Sequence, residues 1–282
     1  RFEYYSAHMN TRAAERLRLE QDLRHAIERG QLSLVYQPQI EIGSRTIVGI
    51  EALLRWHHPS LGPVSPERFI SVAQDAGLIL PIGDWVLREA CQQRKQWTKL
   101  PPDVPISVNV SPLQFRQANF VKRVIAILEE SDLQPTALEL EVTESAVMHG
   151  AQEMIQKLTE LNEYGVTLAI DDFGTGYSSL SYLRNLPIQR LKIDRSFVTD
   201  LPGNKDAAAI TKAIVDMGHT LGLDVIAEGV ETQAQADFLR EAACLSAQGF
   251  LYCHPLVADE LERWMAKGAR PWTRLRTGDR TQ

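Results

Sequence analysis

The sequence predicts an α/β fold in which eight strands close into a barrel whose first pair is irregular. Strand-like and helix-like segments alternate from Gln31 onward, a pattern that builds a mostly parallel sheet. Eight strand candidates favour closure over an open sheet. The first two are joined only by the turn Gly43–Arg45, too short for a helix and suited to an antiparallel pair.

The elements follow in order. Asn10 serves as a helix N-cap and Gly30 as its stop, with Ala13, Leu17, Leu23, Ala26 and Ile27 at helical spacing between them. This is the first helix of the domain, or a joint to an upstream module. Strands are expected at Leu32–Ile42, Ile47–Trp56, Ile106–Val110, Ala137–Glu144, Val166–Asp172, Arg190–Asp194, Asp224–Val230 and Ala247–Leu251. Helices are expected at Pro66–Ala76, Ile82–Trp97, Leu113–Glu130, Gln152–Tyr164, Lys205–Leu221, Thr232–Ala242 and Ala258–Lys267. The stretch after Lys267, rich in Arg, Thr and Gly, reads as a peripheral tail.

Composition bounds the function. The chain has 282 residues, 44% apolar and 23% charged, which excludes a disordered or collagen-like protein. An α/β barrel uses roughly 200–250 residues as one domain. A net charge of −6 argues against a bulk electrostatic grip on a DNA or RNA duplex, so a phosphate ligand has to be recruited locally by Arg, Lys or bound cations. Cys91, Cys244 and Cys253 form no C-x-x-C pair and read as buried free thiols in a reducing compartment. No apolar run reaches the roughly 18–20 residues of a membrane span, and the expected location is the cytoplasm. The chain begins at Arg1 and is read as a piece of a longer protein, whose upstream part could carry a membrane anchor.

Acidic residues gather at the ends of the expected strands: Glu51, Glu141 and Glu144, Asp171 and Asp172, Asp194, and Glu228. Asn109, Lys192 and Gln248 accompany them. In a barrel these ends converge on one face, where active sites are built. Two carboxylates about 5 Å apart at an effective dielectric near 20 repel by roughly 3 kcal/mol. A lone strand-end acid is usually a cap or a surface group, but the pattern recurs on five strands. Hard divalent cations with oxygen ligands answer that repulsion, and the donors suffice for two ions. His57 and His58, before Pro59, read as turn residues with local hydrogen bonds rather than as ligands. Asp172-Phe173-Gly174 has the form of the kinase magnesium motif, but no kinase catalytic loop, Gly-rich loop or Walker sequence accompanies it.

Taken together, the motifs resemble the EAL-domain phosphodiesterases that hydrolyse cyclic di-GMP. They are YQP at Tyr36–Pro38, EALLRW at Glu51–Trp56, SVNVS at Ser107–Ser111 and E-x-T-E at Glu141–Glu144. DDFGTGYSSL at Asp171–Leu180, LKID at Leu191–Asp194, EGVE at Glu228–Glu231 and QG at Gln248–Gly249 complete the set. The resemblance runs from Leu32 to Leu256 and implies a modified TIM (β/α)8 barrel with one antiparallel strand. Gln74, Leu245 and His254 depart from the family pattern, all outside the ligand set.

The resemblance also implies roles. Glu51, Asn109, Glu141 and Asp171 would hold one Mg2+ or Mn2+; Asp171 would bridge to a second, held also by Asp172 and Glu228. Lys192 would touch the attacking water, and Glu228 is cast both as ligand and as general base. Gln37 and Arg55 would contact substrate, Arg55 at a phosphate. Glu144 would anchor the loop after Asp172, and Asp194, Glu231 and Gln248 would support the site. The implied reaction is in-line attack of water on one phosphodiester, giving linear pGpG. A non-catalytic cyclic di-GMP receptor is the alternative, and a metal-dependent lyase barrel a third reading. Residues 1–30 resemble the end of a GGDEF domain with its linker helix, 31–267 the barrel and 268–282 the tail. A homodimer pairing beside the Asp171–Leu180 loop, and upstream GGDEF and sensory modules, are the further partners implied.

Overall fold

The computed structural model describes residues 7–148, 152–176 and 183–267. Residues 1–6, 177–180 of the DDFGTGYSSL motif and the tail 268–282 therefore lie outside the described residues. Nine strands form one sheet: β1 (Leu32–Glu41), β2 (Ile47–His58), β3 (Gly62–Val64), β4 (Ile106–Val110), β5 (Leu138–Thr143), β6 (Thr167–Phe173), β7 (Arg190–Ile193), β8 (Asp224–Ala227) and β9 (Ser246–Ala247). Eight of them close into a barrel in the order β1-β9-β8-β7-β6-β5-β4-β2, with β3 appended to β2. The antiparallel strand is β1, which runs against both neighbours, β2 and β9. The other barrel pairs are parallel, as the alternation of elements requires.

The period of two along a strand decides what faces the lumen. On β4–β7 the intervening residues, such as Val108, Leu140, Ile170 and Leu191, are buried in the apolar core. Their neighbours Ser107, Glu139, Glu141, Asp171 and Lys192 are buried too, but polar. Barrel interiors are normally filled by Val, Ile and Leu; this one carries charge.

Several expected boundaries are corrected. The first helix, α1, spans Ala7–Leu23, so Asn10 lies inside it and turns carry the chain on to Gly30. Helix α2 (Pro66–Asp75) is as expected, and α3 (Ile79–Gln96) starts three residues earlier than Ile82. Pro81 sits in its first turn, where a missing N–H is harmless. The single helix expected over Leu113–Glu130 is two, α4 (Pro112–Phe115) and α5 (Phe120–Ser131). A reciprocal cap between Ser111 and Gln114 starts α4. The Lys157 ammonium then takes the carbonyls of Phe115, Arg116 and Gln117 at 3.1, 3.3 and 3.1 Å, ending it. The last two strands are shorter than expected because Glu228–Val230 and Gln248–Leu251 pair loop to loop. Val230 N–H donates to Gln248 O (3.1 Å) and Leu251 N–H to Val230 O (3.0 Å). Strand β3 and the short helices α6 (Glu144–Met148) and α8 (Arg195–Val198) were not anticipated; α7 (Gln152–Tyr164) was.

Helix α1 is fixed to the barrel by buried Leu19 and Leu23 and by Glu15–Arg68 (3.1 Å). His58 completes the attachment: Nδ1 accepts the N–H groups of Ser60 and Leu61 (both 3.1 Å), so Nε2 carries the proton toward Asp22 at 3.0 Å. The expected local hydrogen bonds of this histidine are present, but His57 and His58 end strand β2 rather than lie in a turn. All three cysteines are buried free thiols.

Candidate active site

Lys192 on β7 stands at the centre of the barrel mouth, completely buried. Its ammonium lies 2.6 Å from Glu228, 2.7 Å from Glu141, 3.3 Å from Asp171 and 3.8 Å from Glu51. Glu141 and Asp171 come from β5 and β6, Glu228 directly follows β8, and Glu51 lies in the middle of β2 rather than at its end, so the barrel geometry itself assembles them. Burial opposes the lysine charge, but Asp171, Glu141, Glu228 and Glu51 outweigh it and hold its pKa well above the ordinary value.

One ammonium cannot balance five carboxyls. Glu141 is pushed well above the ordinary range by burial and by Glu51. Burial, reinforced by Asp171 and Glu51 against Lys192, raises Glu228 to about 8. Asp172 rises to about 6, through burial, Asp171 and Asp194. Glu51 goes the other way: burial raises it, but Lys192 and the amides of Gln248 and Asn109 prevail and keep it ionised. The Asn109 amide donates to Glu51 Oε1 at 2.6 Å and Gln248 to Oε2. Gln248 also donates to Gln37 Oε1 (3.0 Å), and Gln37 to the carbonyl of Cys253 (3.0 Å).

The oxygens of Asp171, Asp172 and Glu228 lie within 4.8 Å of one another, a set able to hold a cation. The other expected set is arranged differently: Glu51, Glu141 and Asp171 surround the Lys192 ammonium, and Asn109 is bound to Glu51. Buried Glu141 Oε1 has no hydrogen-bond partner. Such an oxygen, beside acids whose pKa values burial and neighbouring carboxylates raise, fits a site for divalent cations.

The supporting residues are placed as follows. Asp172 adopts a left-handed φ of 54° and its N–H donates to Asp171 Oδ1 at 2.9 Å. Glu144 accepts the Gly174 N–H (2.9 Å), and a Cβ on Gly176 would stand 2.8 Å from its other oxygen, so this carboxylate clasps the loop after Asp172. Asp194 caps α8 by accepting the Ser196 N–H at 2.9 Å. Glu231 pairs with Arg195 at 2.8 Å near the rim.

A cavity of about 500 Å³ opens over this cluster, walled by Gln37, Glu51, Arg55, Asp171, Glu228 and Gln248. Phe250 and Arg195 also line it, and neither stood out in the sequence. Phe250 stacks on His254, centroids 4.1 Å apart, so the departure at His254 falls beside the rim. The signal for Gly249 was its place in QG: a Cβ there would lie 2.0 Å from the Val230 carbonyl oxygen. A second cavity, about 530 Å³, lies between the β1–β2 turn and the end of α3, with Glu262 as its one acid.

The EAL domain family profile matches residues 20–255. The chain is 48% identical over 259 residues to the bifunctional diguanylate cyclase/cyclic di-GMP phosphodiesterase MucR of Pseudomonas aeruginosa, covering 92% of this chain and 38% of that protein. It is 42% identical over 264 residues to the cyclic di-GMP phosphodiesterase NbdA of the same organism, covering 93% of this chain and 34% of NbdA. The chain thus spans little more than a third of these relatives. The solved P. aeruginosa MucR phosphodiesterase in complex with c-di-GMP superposes with a TM-score of 0.84, covering 86% of this chain and 99% of that one. The EAL domain of Mycobacterium smegmatis DcpA, 37% identical, gives 0.74 over 85% of this chain and all of its own. On this match and the convergence of its motif residues at one barrel mouth, the chain belongs to the EAL domain family.

Proposed function

We propose that this chain hydrolyses one phosphodiester bond of cyclic di-GMP, releasing linear pGpG, with two Mg2+ or Mn2+ ions as cofactors. The observation that carries this is the excess of carboxyls over positive charge around Lys192, beneath a cavity walled by Gln37 and Arg55. The named activities of MucR and NbdA support the choice of substrate.

Asp171, Asp172 and Glu228 would hold one cation, and Glu51, Asn109, Glu141 and Asp171 the other. Bound there, the ions would acidify water and withdraw charge from the phosphate. The chain's own groups do the rest. Arg55 offers a planar guanidinium to a phosphate oxygen. Lys192 supplies fixed positive charge where negative charge develops, in a site already shielded from water. Glu228, held near neutrality in its titration, is suited to hold or accept a proton. Gln248 and Asn109 fix the Glu51 carboxylate by one amide on each oxygen. Glu144 keeps the loop after Asp172 in place.

The same reading extends to the whole protein. Residues 1–30 are assigned to the end of a GGDEF domain and its linker, 31–267 to the barrel and 268–282 to a tail. The parent is proposed to be a cytoplasmic-facing GGDEF–EAL protein acting as a homodimer. The linker assignment is supported by the docking of α1 on α2 and by the chain's small share of its relatives' length. No helix among the described residues is long and apolar enough to cross a membrane.

The test is incubation with cyclic di-GMP and Mg2+ or Mn2+, with EDTA and Ca2+ controls, and separation of products. Accumulation of pGpG is expected, and Glu51→Ala should abolish it while leaving the circular dichroism spectrum intact. Tight binding without turnover would replace the enzyme by a receptor.

A further inference from the structure

Below the catalytic layer the barrel holds a second polar layer that the mechanism does not use. Six catalytic-layer residues have a counterpart two positions away on their own strand. Gln37 and Gln39 share β1, Glu51 and Gly49 β2, and Asn109 and Ser107 β4. Glu141 and Glu139 share β5, Asp171 and Ala169 β6, and Lys192 and Arg190 β7. A spacing of two on a strand keeps both members on the same face, about 7 Å apart.

The members of the lower layer bond to one another, mostly through Glu139 Oε1, while Glu139 Oε2 has an ion-pair contact but no hydrogen-bond partner. Glu139 is 0% exposed. Arg190 Nη1 lies 3.1 Å from both Glu139 oxygens and donates at 3.1 Å to Gln39 Oε1. Ser107 Oγ donates to Glu139 Oε1 at 2.6 Å. Two small residues make the room. Ala169 lies beside Arg190 in the register, so the guanidinium crosses β6 to reach β5. A Cβ on Gly49 would stand 2.2 Å from Gln39 Oε1, so glycine leaves that amide its present place.

A buried ion pair is weak evidence for stability, because apolar residues of equal volume often serve as well. Its place needs another reason. The pair ties β5 to β7, which are not neighbours, directly beneath Glu141 and Lys192 on the same two strands. The pair is neutral as a unit, although the Glu139 carboxylate still adds to the raised pKa of Glu141 above it, and it fills the lumen into which the Lys192 chain could otherwise fold.

We infer that Arg190 is a positioning residue: paired with Glu139, it forms the floor that holds Lys192 and Glu141 at the height where cations and substrate meet them. This inference rests on the phosphodiesterase reading.

The test compares the parent chain with Arg190→Lys and with the double variant Arg190→Met/Glu139→Gln, which removes both charges together. Each is assayed for cyclic di-GMP turnover well below its melting temperature. Each is also titrated with Mn2+ without substrate, free Mn2+ being read by electron paramagnetic resonance. We expect kcat to fall at least tenfold in both, KM to stay within twofold, and Mn2+ affinity to drop several-fold. Arg190→Lys keeps the charge but loses the reach, so a loss there separates positioning from charge. If the double variant does not fold, Arg190→Lys alone decides. Folded variants with unchanged kcat and unchanged Mn2+ affinity overturn the inference. An inactive parent chain sinks the phosphodiesterase reading instead, and the Mn2+ titration then still judges the floor.

Discussion

At the barrel mouth a single ammonium, that of Lys192, answers the carboxyls, and this sets what individual substitutions do. Removing one partner of a buried ionic cluster leaves uncompensated charge and typically costs about 3–5 kcal/mol. Lys192→Met should therefore lower the stability of the metal-free chain by about that much, more at pH 8 than at pH 5, where the acids can protonate instead. Urea denaturation at both pH values checks it, and a loss independent of pH would contradict the charge argument. The raised pKa values give a second expectation. Glu228 at about 8 and Asp172 at about 6 lie above their ordinary values, so the folded metal-free chain holds protons that the unfolded chain has released. Their contribution to stability is full below the unfolded values and is lost as pH rises through about 6 and then about 8. Cations require the ionised forms, so binding should expel protons and Mn2+ affinity should climb between pH 6 and pH 8. Calorimetric titration at pH 6.5 in two buffers of different ionisation heat measures the protons released; zero release would refute the assignment.

Among the elements, the loops after β8 and β9 bear most directly on the site. They bring Glu228 and Gln248 to the mouth, and they touch through backbone: Val230 N–H meets Gln248 O at 3.1 Å, with Gly249 leaving no room for a side chain. A methyl at 249 would strike backbone rather than a yielding side chain. Gly249→Ala should thus cost more than about 2 kcal/mol, within the range for overpacking, and should weaken Mn2+ binding by displacing Glu228. Thermal melting with a parallel Mn2+ titration checks both. These loops also show what the sequence made legible. Glu51, Glu141, Asp171, Lys192 and Glu228 were readable because acids and a lysine carried by successive strands can only converge if the strands close. The length of β8 and β9 was not, since apolar loop residues such as Val230 and Leu251 look like strand. The break between α4 and α5 was illegible for another reason. Its agent, Lys157, lies some forty residues away in α7, and FRQAN at 115–119 contains no Gly or Pro. The Arg190–Glu139 floor was hidden because alternate polar residues on a strand ordinarily mean a solvated face, and here that face is the lumen.

For the whole molecule, the lumen is where every strand of the barrel contributes to one cooperative unit. Closure depends on β1, which is antiparallel to β2 on one side and to β9 on the other. Cations bound at the mouth would be held by strands β2, β4, β5 and β6 and the loop after β8, so opening any seam of the barrel would release them. A ligand that binds only the closed form stabilises it by about 2.7 kcal/mol at a hundred times its dissociation constant. For chains of roughly 150–250 residues each kcal/mol raises Tm by about 2–4 °C. Saturating Mn2+ should therefore raise the melting temperature of this chain by about 5–10 °C, and EDTA should reverse the rise. Glu141→Gln should abolish most of the shift while leaving the metal-free Tm equal or higher, because it removes a carboxyl whose charge the closed barrel disfavours. Scanning calorimetry of both proteins with and without Mn2+ decides the matter. A Tm of the parent chain that ignores millimolar Mn2+ would mean that the carboxyl cluster manages its charge by protonation alone.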